Sequence, residues 1–284
     1  MFATIRVDNW DEACAIGSSL LRWGFRGQAD EHWALESTLL RARELYGVKP
    51  EWTNHREYWM LRQFQRRFSA YSGAIPTPAS KLDWLAVMQH YGSATRLLDF
   101  SHSFYVAAFF AMERAAGNAA VWAVSQPALA RRIAQFRKRQ EACDDEQRNA
   151  NHAEFAEGYV GLDDGPANTV KFAVPVEPEF LHDRLITQQG FFLCPLDIRS
   201  SFVANLEASF GLPEDALSQK SECTWTVCAS DLDRYAVLKI VLPRTIHSVM
   251  AKDLHNMNIH SGTLFPGLDG YARSMTIHLR SFTH

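Results

Sequence analysis

No two of the five cysteines, at 14, 143, 194, 223 and 228, are spaced as CxxC. Their number is odd, so neither a disulfide framework nor a zinc ribbon is expected. GxGxxG and GxxxxGK[ST] are absent, which leaves Rossmann and P-loop nucleotide sites unsupported. HExxH and GxSxG are also missing, against a zinc protease and an α/β-hydrolase. Cys223 and Cys228 precede His247, His255 and His260, but zinc favours tighter pairing. No metal site is expected. Apolar runs are too short to span a bilayer, and Asp8, Asp11 and Glu12 stand where a signal peptide is apolar. A cytoplasmic protein with no membrane partner is the expectation. The charge is nearly balanced, at −3, so whole-protein capture of nucleic acid is not indicated, although a local basic patch remains able to bind it.

What is present suits a folded protein. Across 284 residues, 47% are hydrophobic and 21% charged, enough for a sizeable core. Helical periodicity marks residues 9–20, 55–70 and 199–210, and a Ser80/Asp83 capping signature opens another helix through about Met88. The segments LRWGFRG, TRLLDF, AAVWAVS, TVKFAV, GFFLCPL and YAVLKIVLP read as strands, and SHSFYVAAFFAMERAA as a core helix. Helices are also expected at 244–255 and after LFPGLDG. Residues 127–160 read as a polar helical hairpin whose charge changes sign. Strands and helices intermix without strict alternation, so the expected class is α+β. One domain over 1–284 is expected, with a helical insertion at about 127–165.

Three segments carry unusual chemistry. In Phe25-Arg26-Gly27-Gln28, an arginine leaves an apolar strand at a glycine and can meet an anion with its planar fork. The plainer alternative is an arginine paired with a buried carboxylate. Gln89 to Ser101 gathers His90, Tyr91, Arg96, Asp99 and a hydroxyl, as a site or as a polar corner tying helix ends. Within a strand, Arg96 and Asp99 would face opposite ways and need separate partners. Gln188-Gln189-Gly190 precedes an apolar strand, as a site rim or as a simple turn.

These segments together resemble the FRG-domain family. The family pattern is met by Gly24 to Gln28, Trp33 to Ser37, Gln89 to Asp99, Val106 to Met112, Gln188 to Phe191 and Leu264 to Gly270, in order across about 21–274. The resemblance implies a distant relation to the ADP-ribosyltransferase fold, with split mixed or antiparallel sheets, surrounding helices and NAD, as co-substrate, in a cleft between two small sheets. It implies catalytic roles for Arg26, His90, Tyr91, Gln189 and Asp269. Arg26, Gly27, Gln28, Tyr91, Arg96, Ser101, Ser103 and Gln188 would bind NAD. The family's late glutamate is missing beside the QQG segment, with Asp269 as the alternative acid. The function so implied is an ADP-ribosyltransferase-like toxin or phage-defence effector, with an antitoxin or other protein partner. Its acceptor would be a macromolecule, RNA or another nucleic acid ahead of protein, because of the arginine-rich helices. The alternative is a non-catalytic nucleic-acid-binding or protein-interaction module.

Overall fold

A computed structural model describes residues 1–73, 75–140, 152–161, 170–178, 183–219 and 221–275. Its strands are β1 (Phe2–Arg6), β2 (Trp23–Gln28), β3 (Leu98–Ser101), β4 (Ala119–Ser125), β5 (Ala173–Val176), β6 (Gly190–Pro195) and β7 (Val237–Leu242). They form one seven-stranded sheet in the order β1-β7-β4-β2-β3-β6-β5. The β1–β7 pair is parallel and the other pairings are antiparallel. The expected mixture of helices and strands is therefore present, but as a single sheet instead of two separate ones. That sheet thins at a seam between β2 and β3. β2 matches β4 over six residue pairs, whereas β2 and β3 share the single pair Phe25↔Ser101.

The first helices are α1 (Trp10–Ser19), α2 (Thr38–Leu45), α3 (Thr53–Tyr71), α4 (Lys81–His90) and α5 (Phe104–Glu113). They are followed by α6 (Gln126–Gln140), α7 (His152–Glu157), α8 (Asp183–Thr187), α9 (Phe202–Phe210) and α10 (Trp225–Ser230). The last are α11 (His247–Asn256), α12 (Ser261–Leu264) and α13 (Leu268–Ser274). Side chains from Asn9, Ser37, Ser80, Ser103 and Ser201 cap α1, α2, α4, α5 and α9 by accepting a backbone N–H in the first turn.

Every residue of β4 is buried, because both faces of the sheet are covered. Trp122 and Val124 enter one core with residues of α3, α4 and α9. Val121 and Ala123 enter the other with residues of α1, α5 and α11. The nearly all-apolar sequence of α5 reflects this burial. Gly27 admits the helix, since a Cβ there would lie 2.0 Å from the Ala107 carbonyl oxygen. Between 127 and 160, α6 is only partly a solvated face, because Leu129 and Ile133 are buried in the core. Residues 141–151 and 162–165 of the expected insertion lie outside the described residues. No described helix is long and apolar enough to cross a membrane.

Candidate functional site

A cavity of about 570 Å³ lies at the seam, within the usual size range of ligand sites. Arg26, Gly27 and Gln28 of β2 line it together with Asp99, Phe100 and Ser101 of β3. Past the Phe25↔Ser101 pair the two strands no longer match, so the Asp99 carbonyl lacks a strand partner from β2. Arg26 supplies the missing donor: its Nη1 lies 2.8 Å from the Asp99 carbonyl oxygen and 3.6 Å from the Asp99 carboxylate. The Arg26 side chain is 17% exposed, and its Nε is buried without a partner among the described residues. Burial lowers the Arg26 pKa; Asp99 opposes that shift and Arg41 adds to it. A ligand anion would relieve both the orphaned donor and the repulsion from Arg41.

Four more arginines line the cavity: Arg41, Arg114, Arg184 and Arg273. The guanidiniums of Arg184 and Arg273 stand 4.6 Å and 4.1 Å from the centre of the Phe265 ring. Phe265 comes from the LFPGLDG segment. Gly270 of that segment packs so closely that a Cβ would lie 1.8 Å from the Phe265 carbonyl oxygen. Burial is the main cause lowering the Arg184 pKa; Asp99 raises it and Arg273 lowers it. The lining carboxylates are Asp99 and Glu113. Glu113, at the end of α5, lies 3.5 Å from Arg273 and accepts from the Ser261 hydroxyl at 3.4 Å.

The expected site residues divide sharply. Arg26, Gly27, Gln28, Ser101 and Gln188 meet at the cavity. Gln28 is also structural, accepting from the Trp122 indole and donating to the Ala34 carbonyl. The Ser101 hydroxyl donates to the Gln188 carbonyl at 2.8 Å, and the Gln188 amide donates to the Leu264 carbonyl at 2.9 Å. That chain of bonds ties the seam to the QQG and LFP segments.

Several expectations need correction. Arg96 is inside the core, not in the cavity. Its Nε donates to Glu57 at 2.7 Å, its Nη2 pairs with the other Glu57 oxygen, and its Nη1 donates to the Tyr159 carbonyl at 2.9 Å. Ser103 does not line the cavity, and its hydroxyl caps α5. Gln189 is an exposed turn residue with φ of 47°, and its carbonyl accepts from the His102 amide. Asp269 is exposed outside the lining, although its charge reaches Arg184. Tyr91 lines a different groove along α3, and His90 at the end of α4 lines neither. Burial and then Arg184 lower the His90 pKa. Asp99, by contrast, is 63% exposed and is held by the Gln89 amide at 2.8 Å. Gln89 is in turn held by the hydroxyl of buried Thr95. The Gln89 to Asp99 block thus aims one carboxylate at the cavity and anchors itself through Arg96.

Sequence reasoning missed Arg41, Arg114, Arg184, Arg273, Glu113 and Phe265. One signal was available: Glu113-Arg114 is a charged pair that closes an almost wholly apolar helix. No described cluster of three or more histidine, cysteine or acidic side chains can hold a metal ion.

The fold and site define a mixed-sheet protein with an arginine-lined cavity where β2 and β3 share a single residue pair. The FRG domain family model matches residues 21–120, from just before β2 into β4. The QQG and LFPGLDG segments lie beyond that match and complete the cavity wall. No curated protein and no solved structure matches the chain.

Proposed function

We propose that this protein transfers ADP-ribose from NAD to a macromolecular acceptor at the seam cavity. The observation that supports this reading is the convergence of five arginines and two carboxylates on one cavity of about 570 Å³. Arg26 and the Arg184–Phe265–Arg273 cluster would clamp the pyrophosphate. Phe265 adds an aromatic surface to that clamp. In the reaction the glycosidic bond breaks, its electron pair leaves with nicotinamide, and positive charge develops on the ribose. Asp99, exposed beside Arg26, would face that charge and the ribose hydroxyls. Glu113, at the other carboxylate position, would accept the acceptor's proton. A glutamine cannot do so, so that base lies outside the QQG segment.

Nucleic acid is the favoured acceptor. The arginines outnumber the carboxylates by more than a pyrophosphate neutralises, leaving positive charge for an acceptor phosphate. The test incubates the protein with adenylate-labelled NAD and RNA, DNA or total protein in separate reactions. Label should enter a nucleic-acid fraction with release of free nicotinamide, and Arg26→Ala should lower both by about 10²–10³. Absence of nicotinamide release, together with no NAD binding by calorimetry, would overturn the reading and favour a non-catalytic module.

A further inference from the structure

Tyr91, set apart from the seam cavity, belongs to a second concavity of about 750 Å³. No residue lines both. Along α3 the groove takes Arg56, Trp59, Met60, Gln63, Phe64, Arg67, Phe68 and Tyr71, a repeat of three and four that marks one helical stripe. From Arg56 to Tyr71 this stripe runs for about 22 Å at the helical rise, or about four turns. The floor is apolar and adaptable, with Met60, Phe64, Phe68, Ile75 and Met88. Three large side chains on its rim face water: Trp59 is 48% exposed, Tyr91 60% and Tyr71 85%.

The charge on this face is one-sided. Arg56, Arg62, Arg66 and Arg67 of α3 are all exposed. The helix has one acid, Glu57, which is buried against Arg96. Among the described residues, no carboxylate lines the groove. A protein of net charge −3 therefore presents two lining cations, Arg56 and Arg67, on an apolar trough, with Arg62 and Arg66 farther round the same helix.

We propose that this groove receives an acidic amphipathic helix of a partner protein. The occupant's apolar side chains, spaced i, i+3, i+4 and i+7, would fill the floor, and its carboxylates would meet Arg56 and Arg67 at the rim. The continuous apolar floor favours this occupant over single-stranded nucleic acid, which stacks on separate aromatic platforms within a polar, charged channel. The site is independent of NAD chemistry at the seam.

The experiment uses the full chain and a fluorescent synthetic helix with leucine and phenylalanine on one stripe and glutamate elsewhere. Three probes serve as comparisons: the same composition with its stripe scrambled, a lysine-for-glutamate version, and a single-stranded oligouridylate. The acidic helix should bind at least tenfold more tightly than the scrambled and lysine peptides. Arg56→Glu/Arg67→Glu, at two exposed positions, should reverse the order so that the lysine helix binds better. Trp59→Ala/Tyr71→Ala should weaken the acidic helix at least tenfold without changing the melting temperature. Equal binding of striped and scrambled peptides overturns the proposal. So does oligouridylate that binds more tightly and displaces the acidic helix, which would assign the groove to nucleic acid.

Discussion

Arg26 and Arg96 lie in the same stretch matched by the FRG domain model, yet one faces a cavity and the other the core. Arg96 is 1% exposed and meets a complete set of acceptors: both Glu57 oxygens and backbone carbonyls from two other segments. Arg26 meets a carbonyl and a distant carboxylate, and its buried Nε goes unmatched. A guanidinium with every nitrogen engaged is a fastening, whereas one with a buried nitrogen left over is prepared for a ligand. The surrounding charges follow the same division. Glu57 meets Arg96 inside the core, while Arg41 and Arg184 join Arg26 around a cavity poor in carboxylates.

The strongest test of this contrast is Arg96→Ala, which strands Glu57 in the core. A loss of about 3–5 kcal/mol is expected, read by urea denaturation. Replacing both partners, as Arg96→Met/Glu57→Met, should recover much of it, because the apolar pair leaves no buried charge. A single-variant loss below about 1 kcal/mol would break the contrast.

Arg26→Ala should do the converse. Activity should fall by about 10²–10³, equivalent to about 3–4 kcal/mol of lost transition-state stabilisation, with little change in melting temperature. Arg26→Lys should restore little, since a point charge does not reproduce the fork. A variant that melts early in proportion to its lost activity would make Arg26 a fastening like Arg96.

The two adjacent glutamines sharpen the comparison on a smaller scale. Gln188→Ala removes the bond to the Leu264 carbonyl beside Phe265, and NAD affinity should weaken about fivefold, the effect of about 1 kcal/mol. Gln189→Gly should leave turnover unchanged and raise stability by a few tenths of a kcal/mol at most, because glycine accepts the left-handed backbone there. Equal losses of activity in both variants would return Gln189 to the site.

The smallest effect is expected from pH. Burial and then Arg184 lower the His90 pKa from 6.5; burial also lowers His152 and His260, assisted by Arg137 and His255 respectively. The native protein thus binds fewer protons than the unfolded chain just below pH 6.5. Their stability contribution is fully present above that pH and declines on acidification through the lowered values. His90→Gln should flatten the slope of unfolding free energy between pH 7 and 5, and an unchanged slope would remove His90 as a contributor.

Much of the fold was legible because its signals are local. Ala119–Ser125 is a strand where the short apolar run predicted one, and Ser80 caps α4 as its spacing with Asp83 implied. β1 and α2 escaped notice: β1 has five residues and earns its place through pairing with the distant β7. The site was only half legible. The Arg26 strand end and Gln188 were found by their chemistry, but Gln189, one residue away, is an exposed residue of a left-handed turn and does not line the cavity. Arg96 misled because an arginine beside an aspartate reads the same whether its true partner is a ligand or Glu57, thirty-nine positions earlier.

The sequence by itself determined what depends on neighbours along the chain. That includes the caps, the periodicity that buries one face of α3, the apolar runs of β4 and β7, and the FRG segment with glycine at the residue that must admit α5. Tertiary structure decided which charges remain unmatched. The seam at Phe25↔Ser101 exists because β2 and β3 share only one residue pair, and nothing in either strand alone specifies that parting. Arg41, Arg184 and Arg273 reach the same cavity from three separate elements. A guanidinium's role is set by the acceptors folded around it, and those arrive from residues far away in the chain.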